Sequence, residues 1–296
     1  MFESHFGLRA PPFQLSPDPN FYFGSRGHAQ ALSYLKFGVH QGEGFIVVTG
    51  EIGAGKTTIV RTLLESLDPQ QVVAAQVVNT QLNETDLLAA ICGAYGIPAQ
   101  NSSKAQLLST LEAFFTAVAA GGRRALLVVD EAQNLGKREV EELRMLSNFQ
   151  LGNQALLQSF LIGQPELRDM LMSPSMEQLR QRVIASCHLG PLTLTETRAY
   201  IDHRLRFVGW NGDTIFDDAA VAEIFGRTRG IPRRVNLLCT RLLLAAYLES
   251  KTQVAAADVR MVAEQLEGES GMRAIAPAAE ERNSRDEGGV ASTSSG

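Results

Sequence analysis

The stretch GEIGAGKT at positions 50–57 constrains the fold of this chain more than any other feature. It matches G-x-x-x-x-G-K-[ST], in which glycines let the backbone curl so that successive N–H groups face one concavity that suits an anion. Residues 45–49, just before it, form an apolar, β-branched run like a buried parallel strand, and Ile59, Leu63 and Leu67 follow at helical spacing. The order strand, loop, helix therefore predicts a phosphate-binding loop rather than a chance glycine-rich turn.

Each position of the loop has a chemical reason. Lys56 can reach the β- and γ-phosphates of a nucleotide, the Thr57 hydroxyl can bind Mg²⁺, and the helix that begins near Lys56 adds its positive N-terminal end. The predicted nucleotide-binding residues of the loop are Gly50, Glu51, Ile52, Gly53, Ala54, Gly55, Lys56, Thr57 and Thr58.

A second apolar run, in ALLVVDEAQ, ends in two acids, Asp130 and Glu131. Open parallel sheets place their ligands at the carboxyl ends of the strands, so these acids are expected beside the phosphate loop. Asp130 can hold Mg²⁺ through water, and Glu131 can polarise the water that attacks the γ-phosphate. Without the phosphate loop, a strand that ends in a solvated acidic turn would be an equal alternative.

Strand and helix patterns alternate over residues 45–190, which predicts an α/β core whose parallel sheet has helices on both faces. Residues 1–44 are a proline-containing lead-in with a helix from about Arg26, and residues 191–267 show only helical patterns, as in a small helical lid domain. Residues 268–296, rich in Ala, Ser, Gly and charge, are expected to be a disordered tail. The candidate strands are 45–49, 72–79, 125–129, 157–162 and 185–189.

Composition excludes several function classes. The net charge of −5 gives no general reason to expect nucleic acid or an acidic membrane surface as a partner. No apolar run reaches the ~18 residues that a membrane-spanning helix needs, and the N-terminus lacks the pattern of a secretory signal, so we expect no membrane insertion. The three cysteines are widely spaced, which favours buried thiols and a cytoplasmic location.

Because one predicted strand, 72–79, separates the loop strand from the acidic strand, the chain resembles the additional-strand class of P-loop ATPases, and with its helical domain the AAA+ ATPases. This resemblance implies ATP and Mg²⁺ as ligands, and a ring or arc of identical subunits. It also implies that Gln164 in FLIGQPEL senses the γ-phosphate and that Arg233 in GIPRRVN is a second sensor. Arg182 or Arg180 in LRQRV would be an arginine finger for a neighbouring subunit.

Each of these roles has an alternative. Gln164 could simply cap the following helix, Arg182 could be a solvated charge on a short helix, and Arg234 rather than Arg233 could face the phosphates. His28, in GSRGHAQAL, lies in the N-terminal segment that covers the adenine in related ATPases; either it or Phe23 could do so here, and packing at a helix start is an equal alternative for His28.

The segments FGLRAPPFQLSPDPNFYFGSRGHAQALSYLKFGVHQGEGFIVVTGEIGAGKTT, VVDEAQNL, LIGQPELRDML and GIPRRVN resemble the ExeA-like ATPases of the general secretion pathway, over about residues 1–267. Members of that family usually continue into a transmembrane helix and a peptidoglycan-binding domain. Neither pattern occurs here, so the chain is expected to resemble the short, soluble branch found at exosortase and PEP-CTERM export loci. That resemblance implies an unidentified envelope export protein as partner, through which the chain would lie at the inner membrane.

Three functional classes remain open: an ATPase that drives an envelope export system, a DNA-binding ATPase of the transposition type, and a nucleotide switch that does not hydrolyse. Residues 180–260 carry twelve Lys or Arg against eight Asp or Glu, which gives the second class modest support. Charges spread over several helices usually form solvated faces, however, so nucleic acid is not the expected partner. Glu131 disfavours the third class, because a pure switch does not need that carboxylate.

Overall fold

The computed structural model of the protein describes residues 2–78, 82–212 and 214–270. Within these ranges the chain forms an α/β core around one parallel sheet, followed by a helical domain. None of the helices in this part of the chain combines the length and the apolarity that crossing a bilayer requires.

The sheet has five strands in the order β2-β3-β6-β1-β7, and every neighbouring pair is parallel. Two short antiparallel strands, β4 and β5, form a separate hairpin before β6. Each of the five predicted strands corresponds to a strand of the sheet, although β2 ends at Val77 and residue 79 of the predicted strand 72–79 lies outside the described residues. Because the strands are parallel, their carboxyl ends share one edge. The strands are β1 (Phe45–Gly50), β2 (Val72–Val77), β3 (Arg124–Val129), β4 (Gln150–Leu151), β5 (Gln154–Ala155), β6 (Leu157–Gly163) and β7 (Val183–Leu189).

Local capping sets the start of several helices. The side chains of Ser25, Asn83, Ser103, Thr193 and Asp217 accept hydrogen bonds from backbone N–H groups in the first turn of the helix that each precedes. The helices are α1 (Phe2–His5), α2 (Arg26–Gln41), α3 (Lys56–Ser66), α4 (Glu84–Ala94), α5 (Lys104–Ala120), α6 (Lys137–Leu146), α7 (Pro165–Met172), α8 (Glu177–Arg180), α9 (Leu194–Phe207), α10 (Asp218–Thr228), α11 (Pro232–Leu248) and α12 (Ala256–Ser270). Short 3₁₀ turns lie at Pro19–Phe21, Ala132–Asn134 and Pro174–Met176.

Side chains alternate between the two faces of the sheet. Phe45 and Val47 of β1 join a core with residues of α4 to α7, whereas Ile46 and Val48 join a second core with α2 and α3. Both faces of β1 and β6 are thus buried, which explains why these strands are nearly continuous apolar runs in the sequence.

A third core belongs to the helical domain and includes the N-terminal segment. Phe6, Leu8 and Phe13 are buried there against α9 to α12, and the Phe13 and Phe216 rings lie 6.4 Å apart between centroids. The first part of the segment that the sequence analysis treats as a lead-in, residues 1–44, therefore packs with the helical domain. Its helix, α2, covers one face of the sheet.

The C-terminal helix passes the predicted boundary at residue 267. Helix α12 continues to Ser270, and Glu269 forms an ion pair with Arg241 of α11 at 3.1 Å. The predicted tail therefore begins at least three residues too early. Residues 271–296 lie outside the described residues, and their predicted disorder stays a prediction.

Candidate nucleotide-binding site

The loop between β1 and α3 is shaped by two glycines with a left-handed backbone. Gly53 has φ +82° and Gly55 has φ +100°, and a Cβ atom on either would lie within 2.7 Å of Arg233 or His28 respectively. Any other residue would thus be strained and crowded at both positions. Gly55 is also the N-cap of α3 and gives it no side-chain cap, so the first N–H groups of this eleven-residue helix can serve an anion.

Lys56 is buried at the start of α3, with 7% of its surface exposed. Its Nζ donates hydrogen bonds to the carbonyl oxygens of Gly50 at 2.6 Å and Glu51 at 3.0 Å. Burial lowers the pKa of Lys56 from its ordinary value, while the nearby Glu131 and Asp130 carboxylates act in the opposite direction. Within the described part of the chain, the hydrogen bonds of the amine go to neutral oxygens, which phosphate oxygens can replace at a gain in charge pairing.

Asp130 directly follows β3, next to the start of α3, with 3% of its surface exposed. Its Oδ1 accepts from the Glu131 N–H at 3.0 Å, and its carboxylate also hydrogen-bonds to the Thr57 side chain. Burial raises the pKa of Asp130 above its usual range, and these hydrogen bonds act against that rise. A hydroxyl and a carboxylate placed together are the hard oxygen donors that Mg²⁺ prefers, so Thr57 and Asp130 fit that ion.

Glu131 follows with φ 51° and ψ 38°, a left-handed conformation that side chains rarely adopt. Its Oε2 accepts from Gln133 Nε2 at 2.6 Å and from Gln164 Nε2 at 3.1 Å. Burial alone would raise the pKa of Glu131, but these two hydrogen bonds and the nearby Lys56 charge together outweigh it, and the pKa lies below its usual value. Gln164 occupies the N-cap position of α7, yet its side chain makes no capping hydrogen bond and reaches Glu131 instead.

A cleft of about 190 Å³ opens above the loop, between the core, the helical domain and the N-terminal segment. Its volume is several times the ~30 Å³ share of one water molecule, so it can take a larger ligand. The predicted site residues that line it are Ile52, Gly53, Gly55, Lys56, Thr57, Thr58, His28, Glu131 and Arg233. Gly50, Glu51 and Ala54 instead direct their carbonyl groups to Lys56 and His28.

Arg233 lies in the first turn of α11, directly after Pro232, and its N–H donates to the Gly53 carbonyl at 3.2 Å. This hydrogen bond joins the helical domain to the phosphate loop. Arg234 is exposed and does not line the cleft, so Arg233 is the better placed of the two arginines.

His28 is buried in the first turn of α2, behind the phosphate loop. Its Nε2–H donates to the Ala54 carbonyl at 3.0 Å, and its Nδ1 accepts from the Ser25 hydroxyl at 2.7 Å. Burial lowers the pKa of His28, which keeps the ring in the neutral form that these two bonds require. The ring thus supports the loop, while Phe23 lies on the cleft wall near Tyr200.

Sequence reasoning missed a polar network on the far wall of the cleft. Arg204 Nε donates to the Tyr200 hydroxyl at 3.0 Å, which donates to Asn236 Oδ1 at 2.8 Å. Asn236 Nδ2 donates to the Gln14 carbonyl at 3.3 Å, and the Arg204 guanidinium lies 4.6 Å from the Phe21 ring centroid. The spacing of Tyr200 and Arg204, one helical turn apart, was the only sequence signal for it.

The two finger candidates lie away from this cleft. Arg182 stands just before β7, at the end of the strand opposite to the phosphate loop, and its Nη1 donates to Ser147 Oγ at 2.7 Å. Arg180 Nη1 donates to the carbonyls of Leu171 and Met172, at 3.4 Å each. A seven-residue strand spans about 20 Å, so neither arginine reaches the nucleotide site of its own chain.

The sheet order, the phosphate loop and the helical region together define the AAA class of P-loop folds. Residues 39–171 match the family model described as an AAA domain. The chain is 39% identical over 269 residues to general secretion pathway protein A of Aeromonas hydrophila, covering 90% of this chain and 49% of that protein. It therefore spans about half the length of that relative.

Solved structures of other proteins share the fold. The Aeropyrum pernix ORC2 protein superposes with a TM-score of 0.62 at 17% identity, over 82% of this chain and 67% of that chain. An ORC chain from Drosophila, solved bound to DNA, gives 0.67 at 18% identity, over 90% and 65%. The Thermotoga maritima Holliday junction branch migration motor RuvB gives 0.55 at 22% identity, over 82% and 70%.

Proposed function

We propose that this chain is an ATPase that uses Mg²⁺ and acts in an envelope export system. One observation carries the catalytic part: Lys56, Thr57, Asp130 and Glu131 converge at the carboxyl ends of β1 and β3, beside a cleft that also reaches Arg233. Phosphoryl transfer depends mainly on positioning and charge neutralisation, and these residues provide both.

Each residue has a distinct part in the proposed reaction. Lys56 binds the β- and γ-phosphates, Glu131 accepts the proton of the attacking water, and Gln164 and Arg233 contact the γ-phosphate. Thr57 and Asp130 would hold Mg²⁺, which neutralises charge on the phosphates when it is bound. The carboxamide donors on Oε2 stabilise the charged form of Glu131, so the carboxylate is deprotonated and available as a base.

The proposed assembly is a ring or arc of identical chains. Arg182 lies at the opposite end of the core from its own cleft, so it can complete a nucleotide site only in a second copy. An arginine supplied in this way can raise the rate of phosphoryl transfer by ~10³–10⁵ in systems that use one.

The role in export rests on the similarity to general secretion pathway protein A. On that basis the other partner would be an export protein, with the chain cytoplasmic or peripheral at the inner membrane. The narrower assignment to the exosortase-associated branch stays a prediction. Retention on duplex DNA that falls with added salt would favour the DNA-binding alternative instead.

The test of the ATPase proposal is Glu131→Gln, which keeps the shape of the side chain and removes its capacity to take a proton. We expect hydrolysis to fall about 10²-fold or more while ATP still binds. Glu112→Gln, on the exposed face of α5, is the matched control and should hydrolyse ATP at the wild-type rate. Wild-type turnover by Glu131→Gln would remove Glu131 from the mechanism.

The same variant serves the partner proposal. Glu131→Gln protein held in ATP should retain its partner longest, because the bound nucleotide is not turned over. Capture of the same export protein with ATP and with no nucleotide would count against ATP-controlled association.

A further inference from the structure

Neither the sequence motifs nor the similar proteins assign a role to the side chain of Gln133. It lies two residues after Glu131, in the 3₁₀ turn Ala132–Asn134 that follows β3. Its Nε2 donates to Glu131 Oε2 at 2.6 Å, and its Oε1 accepts from the backbone N–H of Gln164 at 2.9 Å. One carboxamide therefore joins the carboxyl ends of two neighbouring strands, β3 and β6.

The orientation of this carboxamide follows from its partners. Turning it by 180° would set its oxygen against the Glu131 carboxylate and its NH₂ group against the Gln164 N–H, which loses both hydrogen bonds. A hydrogen bond from an amide to a carboxylate is charge-assisted and stronger than a neutral one. The short distance to Glu131 Oε2 is in line with that type of bond.

The end of β6 has room for this carboxamide because residue 163 is a glycine. A Cβ atom at Gly163 would lie 2.8 Å from Gln133 Oε1, closer than real Cβ contacts allow. The bridge thus depends on Gln133 and on two consecutive residues, Gly163 and Gln164, of which Gln164 lies 31 residues further along the chain.

Glu131 needs external support, because its backbone is left-handed, a strained conformation for a residue with a side chain. Two carboxamides converge on its Oε2, from Gln133 and from Gln164. The carboxamide of Gln133 is held at both ends. Gln164 Nε2, by contrast, is the group that the proposed reaction directs to the γ-phosphate.

We propose that Gln133 is a positioning residue for Glu131: it holds the carboxylate in place when Gln164 moves its hydrogen bond from Glu131 to the γ-phosphate. This inference rests on the proposed ATPase function. Gln133 acts through Glu131 and is not among the residues that line the cleft. Its loss should therefore reduce kcat and leave ATP binding unchanged.

The experiment compares ATP hydrolysis and calorimetric ATP binding in wild type and Gln133→Met, which keeps the length of the side chain without its donors. We expect kcat to fall about tenfold to a hundredfold, a part of the 10²–10⁴ that a general base contributes. The dissociation constant should change less than about twofold, within the spread of a neutral substitution. Gln70→Met, at an exposed position, is the matched control and should leave both quantities unchanged.

A second comparison separates positioning from a structural role. In a Glu131→Gln background, Gln133→Met should not lower the residual rate further, because the group that Gln133 positions is already lost. A further tenfold fall there would overturn the inference. If Gln133→Met does not fold, Gln133→Asn takes its place, since that carboxamide is one methylene too short to bridge both partners.

The two proposals fail in different ways. A wild-type protein that binds ATP without hydrolysing it would overturn the ATPase function and, with it, this inference. A wild type that hydrolyses ATP, together with a Gln133→Met variant of unchanged kcat, would overturn the inference alone.

Discussion

The amine of Lys56 donates hydrogen bonds to two backbone carbonyl oxygens, and phosphate oxygens can replace these neutral partners. Replacing Lys56 with alanine removes the cation that, in the proposed function, binds the β- and γ-phosphates. We expect Lys56→Ala to lower ATP affinity at least tenfold, about 1.4 kcal/mol, by calorimetry. Lys36→Ala, on the exposed face of α2, should bind like the wild type. Equal ATP affinity for Lys56→Ala and wild type would rule out this role.

The role of a single residue can be predicted from sequence when a local pattern indicates it, and not when it depends on contacts between distant positions. Lys56, Thr57, Asp130 and Glu131 follow directly after strands or loops with strong local patterns, and the parallel sheet brings those ends together. The contact between Arg204 and Gln14 joins positions 190 residues apart, and no local pattern encodes it. The Gln133 bridge likewise depends on a strand end that lies elsewhere in the sequence.

At the scale of secondary structure, the extent of burial of a strand determines how closely the sequence predicts its ends. Strands β1, β3 and β6 are buried along almost their whole length, so their apolar runs mark them within one residue of the observed ends. Strand β7 is at the sheet edge and alternates between exposed and partly buried residues, and it begins two residues before the predicted start at 185. The predicted boundary at residue 267 follows from the change at Gly268 to Ala, Ser, Gly and charged residues, whereas helix α12 continues to Ser270.

The phosphate loop and α11 meet so closely that a single methyl group should disturb both elements. A Cβ atom at Gly53 would lie 2.5 Å from Arg233 Cβ, and φ there is +82°. We expect Gly53→Ala to lower ATP affinity at least tenfold, because Arg233 must shift, and to destabilise the fold by ~1–2 kcal/mol through backbone strain. Calorimetry and thermal unfolding measure the two effects.

The control for that substitution is a glycine inside a helix with free space around it. Gly226 of α10 has no heavy atom within 4 Å of its hypothetical Cβ. Gly226→Ala should therefore raise the free energy of unfolding by ~0.5–1 kcal/mol, because alanine favours the helix. A Gly53→Ala protein that gains stability like Gly226→Ala would contradict the close packing of loop and helix.

Across the whole molecule, the N-terminal segment behaves as part of the helical domain. Phe13 is 2% exposed within that core, whereas Phe37 of α2 is 48% exposed. Phe13→Ala should cost ~3–5 kcal/mol of unfolding free energy in a denaturant titration. Phe37→Ala should stay within ~0.5 kcal/mol of wild type. Equal small losses in both variants would mean that the segment does not contribute to the helical core.

The proposed assembly of identical chains makes a prediction that can be tested only in mixtures of two variants. Arg182→Ala subunits keep Lys56, and Lys56→Ala subunits keep Arg182, so a mixed interface can pair an intact loop with an intact arginine. We expect each variant alone to hydrolyse ATP poorly, and mixtures to recover part of the wild-type rate with a maximum at an intermediate ratio. The same mixing experiment with Arg180→Ala subunits identifies which arginine acts. Only the variant that lacks the true finger should lose hydrolysis alone and regain it when mixed with Lys56→Ala subunits. Mixed oligomers that demonstrably form without any recovery would exclude Arg182 as a group supplied in trans.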